Sequence, residues 1–130
     1  MKFLLTEQVT NNFDGFVYTA PGQYYPVTPT RVCDTRLGAN DPATYAGDTL
    51  APNIPLTVSI AGGSSGVPLS ASAVALNITA VNPTGWGYFT VYPTGVVAPV
   101  ASSVNFSSST NAQANFVQVP LGNSGCAAYT

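Results

Sequence analysis

Arg31, Asp34 and Arg36 are the residues of this chain best placed to act together chemically. The chain carries eight formally charged side chains, three basic and five acidic, and three of the eight fall between positions 31 and 36. Both arginines are in that group. A guanidinium offers a planar fork of donors that matches a carboxylate two bonds at a time. Asp34 therefore lies between two groups able to grip it. If the cluster is exposed, it is a polar site. If it is buried, it is a clamp that ties a strand end to its neighbours. The alternating strand patterns on either side favour the internal clamp.

Little other catalytic chemistry is visible. The chain has no histidine and one glutamate, so neither a Ser/His/Asp arrangement nor a His-based metal site can form. No metal or other cofactor is expected. Asp41 and Asp48 share a loop, and with Asp34 they raise calcium as a reading. Their spacing fits no EF-hand loop, and isolated loop aspartates are mostly turn formers. Paired-carboxylate glycoside hydrolysis has no further support. Cys33 and Cys126 leave two readings open: a disulfide closing most of the chain, which would stabilise by roughly 4–5 kcal/mol, or two buried thiols packing as small hydrophobes. Trp86, Tyr88 and Tyr92 alternate along one strand, and exposed rings of this kind stack on sugar faces. Tyr24, Tyr25 and Tyr45 are weaker candidates. Ordinary cross-strand packing is the competing reading for all of them.

Composition narrows the function classes. The chain has 130 residues, a net charge of −2 and 6% charged residues, with no basic run. Nucleic acid is excluded as a partner because phosphate contacts need a Lys/Arg footprint. The same shortage argues against membrane-surface binding, and no apolar run is long enough to insert. A surface of Ser, Thr, Asn, Gln, Gly and Tyr suits extracellular or virion-exposed β-proteins, and surfaces that pack against copies of themselves. The segment from Met1 to Thr6 starts like a signal peptide, but its apolar run is short and Glu7 follows, so no complete signal peptide is expected.

The elements that must position these residues are short strands. Eleven prolines and twelve glycines leave no room for long helices. Extended candidates are 3–9, 13–19, 30–34, 56–60, 73–81, 86–92, 102–106, 113–119 and 126–130. Between them lie Asn82-Pro83-Thr84-Gly85 and other turn signals. Positions 73–92 read as a hairpin. In 113–119, Phe116 and Ala114 are expected to face inward. Ala61 to Gly66 reads as a flexible connector. It lacks the Lys-Ser/Thr and the helix of a phosphate loop. The fold expected is an all-β antiparallel sandwich, Ig-like or jelly-roll-like, of about eight strands. Residues 1–22 form an arm and a strand, and residues 23–130 the sandwich domain.

Several stretches, in this order, carry a resemblance: Pro29-Thr30-Arg31-Val32-Cys33-Asp34-Thr35-Arg36, Gly66-Val67-Pro68, Val74 to Thr84, Gly87 to Pro93, Ser102 to Phe106 and Asn115-Phe116-Val117. They resemble a β-sandwich repeat module of actinobacterial and related secreted or cell-surface proteins, often found in tandem. The resemblance covers nearly everything from Tyr24 on. It implies a non-enzymatic extracellular module with no catalytic residues. The family pattern closes with a strand of the type Val-Asp-Val-x-Gly-Tyr. Here that strand has its counterpart at the N-terminus, in Asn12 to Tyr18. The module is thus shifted by one strand. Phe13, Phe16, Val17 and Tyr18 then either return to their own sandwich or fill a neighbour's edge as an inter-subunit strand.

These readings lead to a structural or assembly subunit of an extracellular particle or filament: a phage virion surface or tail component, or a bacterial surface filament. Its partners would be copies of itself and other virion or surface proteins, with localisation on a virion or cell surface. The alternative is a cell-surface glycan-binding or adhesion module.

Overall fold

The structure, a computed structural model, describes residues 2–6, 24–36, 47, 50–123 and 125–129, the first and last of these runs by backbone alone. The described residues contain strands and no helix. The strands are β1 (Lys2–Thr6), β2 (Leu56–Ser59), β3 (Ala73–Val81), β4 (Gly87–Pro93), β5 (Val104–Phe106), β6 (Ala112–Pro120) and β7 (Gly125–Tyr129). They form two antiparallel sheets, ordered β1-β3-β6 and β2-β7-β4-β5. The expected strands from 56 onward are therefore present with near-matching bounds, because alternating β-branched and apolar residues suit a pleated, half-buried surface. The stretch 30–34 is different: only Thr30 and Asp34 make isolated bridges, with no continuous strand.

The two sheets share one core. Val74, Leu76 and Ile78 of β3 and Val119 of β6 meet Val58, Phe89, Val91 and Val104 of the other sheet. Val32 and Cys33 join the same cluster. The rings of Phe89 and Phe106 lie 4.9 Å apart at a 56° tilt, within the range where edge-inclined aromatic pairs attract. β3 is central and has buried residues on both faces: Ala75 and Thr79 as well as Val74, Leu76 and Ile78.

Several expectations are corrected. β3 and β4 are not a hairpin, since they belong to different sheets. β3 already pairs with β1 on one side and β6 on the other, so 82–86 must carry the chain across to the second sheet. Asn82 takes φ 48° there, a left-handed conformation that asparagine tolerates better than most residues. In β6 the inward parity is also reversed. The register sets Val119 opposite Val74 and Val117 opposite Leu76, on the core side. Phe116 pairs with Asn77 on the outer face and is 60% exposed, and Ala114 is exposed beside Thr79.

The 61–66 connector is built rather than loose. Ser65 is buried, its hydroxyl donates to the Ile60 carbonyl, and it accepts from the Val67 amide at 3.2 Å. The Gly62 amide donates to the Val67 carbonyl at 2.8 Å. This closed turn lets Ile60, Ala61 and Val67 all reach the core.

Candidate functional site

Three features are candidates: the charge clamp, a groove beside it, and the edge of β6. The clamp begins with Val32 and Cys33, whose burial in the core draws Asp34 in with them. The Asp34 side chain is fully buried. A lone carboxylate there would cost several kcal/mol in lost hydration, and the two arginines remove that cost. Arg36 grips the carboxylate side-on, with Nε to Oδ1 at 2.9 Å and Nη2 to Oδ2 at 2.6 Å. Its backbone amide adds a bond to Oδ1 at 3.2 Å. Arg31 Nη1 sits 3.0 Å from Oδ2. The Arg36 hydrogen bonds hold the Asp34 carboxyl at about 2, below its ordinary value of 3.8, and outweigh the opposing effect of burial. The same contact raises Arg36. At neutral pH the carboxylate is ionised, and both of its oxygens are engaged by the guanidiniums and the Arg36 amide.

Arg36 extends past the clamp to one wall of an open groove of about 710 Å³. Its side chain is 46% exposed. The lining also takes in the crossover from β3 to β4, with Asn82, Thr84 and Trp86, then Tyr88 of β4 and Phe106 of β5. Trp86 is 88% exposed and Tyr88 45%. Their rings are thus available as faces. Tyr92 is not, which corrects the expectation of three stacking aromatics: it shares their parity but is 7% exposed, at the end of β4 where both faces are covered. Gly87 between the two exposed rings has a packing reason. A Cβ there would lie 2.8 Å from the Phe106 ring. The residue type thus lets Phe106 cross the strand and reach Phe89.

The third feature is the side of β6 away from β3, which no described strand pairs with. This strand is nine residues long, lies at the end of its sheet and has no charged side chain. It is exposed along most of its length. Asn115 is fastened across to the other sheet, its amide donating to the Ser103 carbonyl at 2.6 Å. Ser103 also bonds β4 twice, through its amide to the Phe89 carbonyl at 2.7 Å and its hydroxyl from the Val91 amide at 3.0 Å. Ser103 therefore joins the β6 edge to the second sheet. In the sequence it stands only as one residue of the expected strand 102–106, with nothing that marks its bridging role.

The remaining sequence candidates fall as follows. Tyr24 and Tyr25 are exposed, away from the groove. Phe13, Phe16, Val17, Tyr18, Asp41, Tyr45 and Asp48 lie outside the described residues. Cys33 is buried, and the Cys126 side chain also lies outside them. Among the described residues no group of three or more His, Cys, Asp or Glu converges. None of the described helices is long and apolar enough to cross a membrane, since there are none. Comparison with known proteins gives no match to a family model, a curated protein or a solved structure.

Proposed function

We propose that this chain is a non-enzymatic assembly subunit of an extracellular particle or filament, joined to its neighbours by β-strand contacts. The two sheets are read as the layers of an Ig-like or jelly-roll-like sandwich of about eight strands. The observation that carries the proposal is the edge of β6. A long, uncharged, exposed edge strand presents backbone donors and acceptors to any extended segment that reaches it. Folded proteins usually blunt such an edge with lysine, an inward charge or a short strand. Over its nine residues β6 has no charged side chain, and the one proline that such edges also use, Pro120, stands only at its end. The resemblance to a tandem surface module shifted by one strand supplies a matching donor, since a strand displaced to the N-terminus can complete the next copy in line. A head-to-tail contact of this kind builds rings or filaments.

Self-association measured by light scattering and sedimentation across a concentration series tests the reading. The wild-type chain should form species larger than one subunit. Ala114→Lys combined with Phe116→Lys places two charges at exposed edge positions and should return it to a monomer with unchanged circular dichroism. A wild-type chain that stays monomeric at millimolar concentration would remove the proposal.

A further inference from the structure

The groove between Arg36 and Trp86 has a chemical character that strand assembly does not use. Its charged lining, among the described residues, is one guanidinium and no carboxylate. The clamp behind it holds two arginines against one aspartate, so the cluster keeps a net positive charge. Arg36 gives one Nε hydrogen and one Nη2 hydrogen to Asp34, which leaves three of its five N–H donors, two on Nη1 and one on Nη2. Asp34 also fixes the guanidinium plane, so a ligand meets a donor that has already lost its rotamer freedom. The same lining includes the exposed residues Trp86 and Tyr88, whose rings can pack against the C–H face of a pyranose. The Asn82 amide and the Thr84 hydroxyl line the same groove and can donate to and accept from sugar hydroxyls. At about 710 Å³ the space lies within the roughly 300–1,000 Å³ typical of small-ligand sites.

We propose that this groove binds a carboxylated sugar, its ring against Trp86 and Tyr88 and its carboxylate on Arg36. A neutral glycan would use the rings and leave the guanidinium without a partner on its open side. A peptide would have no edge to pair with here, because the lining is mostly loop and strand-end side chains. A carboxylated pyranose uses the rings and the guanidinium at once, and charge-assisted hydrogen bonds are the stronger kind.

Trp86 is the single tryptophan of the chain, so intrinsic fluorescence reports on this groove directly. The probes are tetragalacturonic acid against its methyl ester, and 3′-sialyllactose against lactose. At least one acidic probe should shift the Trp86 emission and bind about tenfold more tightly than its neutral counterpart, the size expected of one charged hydrogen bond. That preference should shrink as salt is added. By calorimetry, Trp86→Ala should abolish binding with the fold intact, since the side chain is 88% exposed. Arg36→Gln should bind both members of a pair equally. If that variant fails to fold, the salt dependence of the wild-type preference decides the point. Emission unchanged by every probe would overturn the proposal, and so would an ester or lactose bound as well as its acid. Binding by a strictly monomeric chain would support the groove and count against strand assembly, so the two readings fail separately.

Discussion

At the residue scale, Asp34 is where electrostatics and burial meet. Its carboxylate is fully buried while its partners reach water, with Arg31 30% and Arg36 46% exposed. Breaking a buried pair usually costs 3–5 kcal/mol, but stranded guanidiniums that can rehydrate pull the figure to the low end. Asp34→Ala should therefore destabilise the fold by about 3 kcal/mol, read from denaturant midpoints. The carboxyl sits at about 2 in the folded chain against an ordinary 3.8. A depressed carboxylate contributes stability that is fully present above its unfolded value and is lost as pH falls through its folded one. Between about pH 4 and pH 2, wild type should lose on the order of 2 kcal/mol more than Asp34→Asn. Melting both across that window isolates the clamp from the other acidic residues, and parallel curves would show that Asp34 is not ion-paired. A second residue has a purely steric role. A Cβ on Gly122 would collide with the Thr94 carbonyl oxygen, a backbone atom that cannot swing aside. Gly122→Ala should cost about 1–3 kcal/mol by the same measurement. The clamp was legible in the sequence because three charges crowd six positions in a chain with few charges. The groove was not, because Arg36 and Trp86 are far apart in sequence and only the fold brings them to one lining.

At the element scale, the strands could be read and their partners could not. Alternation in 73–81 and 86–92 is a local property, so β3 and β4 were expected within a residue or so of their bounds. The hairpin between them rested on adjacency and an Asn-Pro-Thr-Gly turn. Pairing is decided elsewhere, by β1 and β6 occupying both sides of β3. The parity of β6 failed for a related reason. Phe116 is the largest apolar residue of its strand, yet the register with β3 puts Val117 and Val119 over the core and leaves Phe116 outside. An exposed phenylalanine on an edge strand is consistent with an edge that meets something. The 61–66 turn shows the opposite case, where Gly and Ser suggested looseness and one buried hydroxyl makes the turn specific. Ser65→Ala removes both the donor to Ile60 and the acceptor for Val67. It should cost about 1–3 kcal/mol, the penalty for buried backbone groups left unpaired, and hydrogen exchange at the Val67 amide should speed up locally. An unchanged exchange rate there would mean that the turn is held by its backbone alone.

At the scale of the whole molecule, the question is whether one chain holds everything its stability requires. The described strands share a single core drawn from both sheets, so a lone chain has a reason to fold. The long uncharged side of β6, unpaired among the described strands, is where the proposed association would act. If neighbouring copies fill that edge, association binds the folded state and stability must rise with protein concentration. Each tenfold increase adds at most about 1.4 kcal/mol per contact, which for a domain of this size moves the melting temperature by on the order of 5 °C. Scanning calorimetry over a hundredfold concentration range should therefore show a rising midpoint in the wild-type chain and a flat one in Ala114→Lys/Phe116→Lys. The variant should match the wild-type midpoint at the dilute end, because exposed substitutions away from the core change stability little. If the midpoint is flat in both, each chain satisfies its own edge and strand exchange between copies is removed. If it rises equally in both, association runs through another surface, and the exposed valines between β4 and β5, Val96, Val97 and Val100, become the next place to put a charge.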